Sequence, residues 1–146
     1  MMQGDVACIL DRKGRTVYSI EPDVPVFEAL QKLAEHDVGA LPVMKDGKLV
    51  GIFSERDYAR KVILKGKGSR QTPVREIMVT NVYTIAPEAQ ITDCMKLMTE
   101  KRIRHLPVVE NEKVVGVISI GDVVNAIISH QQQIIDHLSD YISGNY

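Results

Sequence analysis

The sequence predicts a mixed α/β (α+β) protein built from two βαββα repeats that pack together about a pseudo-two-fold axis, followed by an extended C-terminal helix. Three observations predict it. The chain repeats itself at a fixed offset, each copy mixes short β-branched runs with apolar residues at helical spacing, and an apolar stripe after the second copy has no counterpart in the first.

Displacing the chain along itself by 65 positions lays Val17-Tyr18-Ser19-Ile20-Glu21-Pro22 on Val82-Tyr83-Thr84-Ile85-Ala86-Pro87. The register holds without a gap: Leu41-Pro42-Val43 falls on Leu106-Pro107-Val108, and the run from Gly51 to Asp57 falls on that from Gly116 to Asp122. Roughly 14 identities in about 47 pairs, with most other apolar positions matched apolar to apolar, make the duplication specific.

Each copy opens with a short strand, at residues 17–20 and 82–85, that is rich in β-branched residues and runs into a proline able to stop a strand and open a helix. A helix follows, carried by Val26, Leu30, Leu33 and Ala34 in the first copy and by Ile91, Met95 and Met98 in the second. Residues 41–44 and 49–53 then form a hairpin around Asp46-Gly47, a pair suited to the left-handed conformations of a tight turn; the second copy has the weaker turn signal Asn111-Glu112. A second helix begins near Ser54 or Ser119.

Glycine, proline and charge at residues 65–73 predict an exposed linker. The expected organisation is a first repeat with its N-terminal segment at 1–66, a linker at 67–76, a second repeat at 77–130 and a helical extension at 131–146. From Asp122 the helix can run on into that extension with Ile127, Gln131, Ile134, Leu138 and Tyr141 or Ile142 along one face, and an unpartnered stripe of this kind predicts a homodimer. A single copy is too small to bury both faces of a three-stranded sheet, so the copies should press together and create two related clefts, where small ligands usually bind.

The 146 residues, 45% of them hydrophobic, can supply a core without staples. Eighteen basic and 19 acidic side chains leave a net charge of −1, which argues against binding to nucleic acid or an anionic membrane. Cys8 and Cys94 have neither zinc nor redox spacing, and no signal-peptide pattern or apolar run of spanning length is present, so a cytosolic location is expected.

Chemistry concentrates at the strand-to-helix junctions, where Ser54 and Asp57 correspond to Ser119 and Asp122. The spacing suits a capping box, in which the serine accepts a first-turn N–H and the acid reaches back to the cap. It equally suits a site in which the helix N-terminus attracts phosphate and the aspartate accepts both hydroxyls of a ribose. The two readings are compatible. Arg56 could add a bidentate phosphate contact, whereas its counterpart Gly121 cannot, and Arg104-His105 replace Gly39-Ala40, so the two clefts should differ.

Two βαββα copies, each with an h-x-x-L-P-V step before G-h-h-S-x-x-D, resemble a pair of CBS domains, the Bateman module. Ile103 to Pro107, the run Ser119-Ile120-Gly121-Asp122-Val123-Val124 and the closing Ser143-Gly144-Asn145-Tyr146 are similar to small stand-alone CBS-pair proteins of bacteria and plant organelles. The resemblance implies binding of AMP, ADP, ATP, NAD or S-adenosylmethionine, with the aspartate on ribose and the hydroxyl near phosphate. It places Ser54, Arg56 and Asp57 in one cleft with Thr80, Ile103 and Arg104, and Ser119 and Asp122 in the other with Arg15, Val38, Gly39 and His105.

No nucleophile–base pair, metal cluster or paired carboxylates can be recognised, so a non-catalytic role is expected. His130 and His137 stand about 10 Å apart along a helix, too far for one metal ion. Gly66-Lys67-Gly68-Ser69 lacks phosphate-loop spacing, no dinucleotide-binding glycine motif occurs, and the basic residues from Arg56 to Arg75 read as a solvated face. The expected function is a nucleotide-binding regulatory module that signals to a partner protein; the alternative is a constitutive dimeric scaffold with vestigial clefts.

Overall fold

The computed structural model describes residues 4–143, with the side chain of Tyr141 outside the description. Its elements are α1 (Val6–Lys13), α2 (Val26–His36), β1 (Ala40–Lys45), β2 (Lys48–Ser54), α3 (Glu55–Tyr58), α4 (Ile91–Lys101), β3 (His105–Glu110), β4 (Lys113–Ser119) and α5 (Ile120–Ser143). A wide π-type turn, Ala59–Ile63, extends α3, and a short 3-10 turn, Val74–Glu76, precedes the second repeat.

Both hairpins form as the turn chemistry directs. β1 pairs antiparallel with β2 and β3 with β4, each with a register shift at the same place, after Val43 and after Val108. Asp46 and Gly47 take φ of 52° and 77°, and Asn111 and Glu112 take 51° and 65°, so the weaker turn signal reaches the same double left-handed geometry. The pseudo-symmetry extends to the helix ends: α2 and α4 each stop at a left-handed residue, Asp37 and Arg102.

The expected third strand is shorter than predicted. Ile20 and Ile85 each make a single parallel bridge, to Val43 and Val108, so the sheets are two-stranded with one residue added at the edge. Pro22 and Pro87 lie two residues beyond these bridges and remove the N–H that would continue the ladder. Nor do these prolines open the helices, which begin later, at Val26 and Ile91.

Two cores result, one per repeat. The first gathers Val26, Ala29, Leu33, Leu41, Val43, Phe53 and Val62 with Val74 and Ile77; the second gathers Ile91, Cys94, Met98, Leu106, Val108, Ile118 and Val123 with Val6, Ile9 and Leu10. In α2 the buried small residue is Ala29, and the predicted Ala34 is exposed.

The N-terminal segment, grouped by sequence with the first repeat, therefore packs on the second. Its first-turn N–H groups are satisfied there: Val6 donates to the Ala89 carbonyl and Ala7 to that of Pro87. The end of the linker does the same for the first repeat, with Val74 donating to the Val24 carbonyl and Arg75 to that of Pro22. Met78 then covers Gly51 as Leu10 covers Gly116, and a Cβ on either glycine would collide with those side chains. Each sheet is thus covered by the segment that precedes the other repeat.

The linker is less free than its composition suggests. The carbonyls of Ser69 and Thr72 accept the N–H groups of Phe27 and Val26 at the start of α2, Thr72 is buried, and Arg70 lies over the Phe27 ring. Helix α5 spans Ile120–Ser143, and the last three positions of the predicted extension, 144–146, lie outside the described residues. It does not fold back: Ile127 packs against the second core, but Gln131, Ile134, Leu138 and Ile142 are exposed.

Candidate functional site

Where the repeats meet, two clefts open on either side of a partition made by Gly39 and His105, which line both. The first has a volume of about 710 Å³ and the second about 420 Å³, within the range of small-molecule sites.

In the first cleft Ser54 ends β2, and its hydroxyl accepts the backbone N–H of Asp57 at 3.2 Å while Asp57 Oδ2 accepts the Ser54 backbone N–H at 3.0 Å. The capping box is therefore real, and it is also what fixes the aspartate at the cleft. Asp57 is 13% exposed and meets Lys61 Nζ at 3.3 Å. Arg56, Arg60, Lys61, Lys101, Arg102 and Arg104 line this cleft against two acids, Glu55 and Asp57, with Ile52, Val79 and Ile103 as apolar wall. Arg56 reaches across the seam to the Arg102 carbonyl at 3.5 Å. A cavity with this lining can hold a ligand that is apolar at one end and strongly anionic at the other.

The second cleft repeats the plan with different charges. Ser119 and Asp122 form the same reciprocal pair, with bonds of 2.8 and 3.1 Å. Burial pushes the Asp122 carboxyl up, but the hydrogen bond from Lys13, the Ser119 backbone N–H and the Lys13 charge outweigh it and hold the group below the ordinary carboxylate value. His105 is held below the ordinary histidine value, chiefly by burial and by the Lys13 charge; Asp122 and Asp57 oppose the shift and Arg104 adds to it. The imidazole is thus neutral at pH 7.

The structure brings most of the predicted site residues to the clefts: Ser54, Arg56, Asp57, Ile103 and Arg104 line the first, Val38, Ser119 and Asp122 line the second, and Gly39 and His105 line both. Thr80 and Arg15 line neither. Thr80 is exposed, and Arg15 pairs with Asp11 at 2.9 Å. These two are equivalent positions of the repeat, and their neighbours Asn81 and Thr16 line the clefts in their place. No regular strand fixes the direction of either segment, and an error of one position exchanges the residue that faces the cleft for its neighbour.

The sequence reading also missed an aromatic wall. The Tyr18 ring stacks on His36 with centroids 3.7 Å apart in the second cleft, and Lys101 Nζ lies 5.4 Å over the Tyr83 ring in the first. The signal was present, because Tyr18 and Tyr83 are identical partners within the repeat. Also missed were the cations Arg60, Lys61, Lys101 and Arg102 and the apolar Ile52 and Val79 of the first cleft, and, in the second, Lys13, which no repeat match singles out.

The model of the CBS domain family matches residues 9–64 and 74–129. The chain belongs to the CBS domain family. As a CBS pair it is 41% identical over 129 residues to the mitochondrial CBS domain-containing protein CBSX3 of Arabidopsis thaliana, a match covering 85% of this chain and 63% of that relative's length. A solved structure of a candidate signal-transduction protein with CBS domains from Burkholderia ambifaria is 44% identical, with a TM-score of 0.83 and coverage of 87% and 96% of the two chains. A hexameric CBS-CP12 protein from bloom-forming cyanobacteria is 25% identical, with a TM-score of 0.75 and coverage of 82% and 70%. The comparisons establish two CBS repeats. Among the described residues no helix is long and apolar enough to cross a membrane.

Proposed function

We propose that the first cleft binds an adenosine nucleotide, and that occupancy changes the packing of the two CBS repeats and so signals to a partner protein. One observation carries the reading: a nearly buried carboxylate, Asp57, stands at a helix N-terminus in a cavity ringed by cationic side chains from both repeats. A carboxylate so placed can accept the two hydroxyls of a ribose, the guanidinium and ammonium groups suit phosphates, and Ile52, Val79, Ile103 and the Tyr83 ring offer an apolar seat for a base. The excess of positive charge favours ATP, ADP or NAD over AMP, and disfavours the cationic S-adenosylmethionine.

Calorimetric titration of AMP, ATP, NAD and S-adenosylmethionine into the wild type, Asp57→Ala and Asp122→Ala tests this. The expected result is tighter binding of ATP than of AMP, weakened at least tenfold by Asp57→Ala. At 100 times Kd the ligand should add about 2.7 kcal/mol of stability. Absence of binding for all four would leave a constitutive scaffold as the function.

Self-association belongs to the same reading. Exposed Ile134, Ile135, Leu138 and Ile142 of α5 form an unpartnered apolar surface, and one CBS relative is a hexamer. A second copy of this chain is the occupant proposed, and sedimentation at micromolar concentration should show a dimer or larger assembly; a monomer would refute it. Free Cys8 and Cys94 fit a reducing compartment such as the cytosol.

A further inference from the structure

The two clefts are assembled from equivalent parts, yet their carboxylates keep different company. The segments covering the sheets run in parallel as far as Met78 and Leu10, over Gly51 and Gly116, and then diverge. In the first repeat the chain continues extended, and Val79 exchanges two backbone hydrogen bonds with Ile52, each 2.9 Å long. In the second repeat α1 continues to Lys13. There the donor to the carbonyl of Val117, the counterpart of Ile52, is Lys13 Nζ at 2.7 Å.

The same ammonium lies 2.6 Å from Asp122 Oδ2, an atom that also accepts the Ser119 backbone N–H at 2.8 Å. Asp57 instead meets Lys61, a residue of its own helical segment, at 3.3 Å. The cation on Asp122 therefore comes from a separate element, and its position is set by the burial of Val6, Ile9 and Leu10 in the second core. That anchoring makes the contact persistent, because α1 cannot lift without exposing core.

We propose that Lys13 locks the second cleft: its ammonium holds the carboxylate that a ribose would need, so a nucleotide occupies the first cleft alone until this contact is broken. The proposal rests on the nucleotide reading of the clefts. It makes α1 a sensor as well as a cover, because a ligand that displaces Lys13 loosens the end of α1, and loosening α1 strengthens that ligand's binding by the same factor.

The test is the number of sites found by calorimetric titration of AMP, and separately of ATP, into the wild type, Lys13→Met and Lys13→Gln. Lys13→Met keeps the aliphatic stem; Lys13→Gln keeps a donor for the Val117 carbonyl but carries no charge, so at least one variant should retain the fold, as judged by circular dichroism. The expected result is one site in the wild type and two in the variants, the second at least tenfold tighter than any second site of the wild type. Adding Asp57→Asn to the Lys13 variants should leave the new site intact. One site in every protein, or two already in the wild type, overturns the lock and leaves the nucleotide reading standing. No binding by any of them overturns that reading, and the lock with it.

Discussion

Gly39 and His105 face each other across the seam between the repeats: a Cβ on Gly39 would stand 3.0 Å from His105 Nε2 and 3.3 Å from Cε1. The repeat explains the fit, since the equivalent of His105 is Ala40 and the equivalent of Gly39 is Arg104. A bulky side chain on one side of the partition is matched by the smallest on the other. Gly39→Ala should therefore cost about 1 kcal/mol through overpacking, and the cost should shrink in a His105→Ala background. Urea denaturation of both single variants and the double variant measures the coupling; additive effects would mean that the ring moves aside freely.

His105 should also make stability depend on pH. Its folded value lies below the ordinary value of about 6.5, so between the two the unfolded chain binds more protons than the folded one. The free energy of unfolding then rises with pH across that window and is lost as pH falls below about 6.5. Asp122, held below the ordinary carboxylate value, stays charged throughout the window. Comparing wild type with His105→Ala in urea from pH 5 to 8 should show the variant losing less stability on acidification; parallel curves would remove the histidine from this role.

Leu10 should behave as a core residue of the second repeat, although it lies in the N-terminal segment. It is fully buried and covers Gly116. Leu10→Ala is expected to cost about 2–5 kcal/mol, as for other buried leucines. In hydrogen exchange the loss should appear first in β3, β4 and α4, with β1 and β2 less affected; the reverse order would contradict the crossed packing.

The two thiols should differ in reactivity. Cys8 is exposed, while Cys94 is buried and its thiol is pushed up to about 11 by burial and by the neighbouring Asp93. At pH 8 a disulfide reagent should titrate one thiol per native chain and the second only in denaturant. Rapid reaction of both would contradict the packing of α4.

Much of the architecture was legible because it is encoded locally or by repetition. Asp46-Gly47 directs a hairpin, Ser54 with Asp57 directs a helix start, and the match at fixed offset carries both to the second copy. Helix α1 was not legible as a structural element: its eight residues carry a short apolar face whose partner, the second core, lies some 80 or more positions away along the chain. Arg15 and Thr80 show a subtler limit. Each lies in an irregular stretch without regular strand pairing, Thr80 at a bend, so nothing local fixes which side of the chain meets the cleft.

By itself the amino-acid sequence determined the duplication, the hairpin of each copy, the Ser-Asp helix starts at Ser54 and Ser119, and so the presence of a carboxylate at both strand-to-helix junctions. Only the tertiary structure decided that α1 crosses to the second repeat, that Thr16 and Asn81 line the clefts, and that Lys13 takes Asp122. The physical reason is range: caps and turns are settled by neighbours a few residues apart, whereas Lys13 and Asp122 are 109 positions apart and meet only because buried α1 brings the ammonium to the carboxylate.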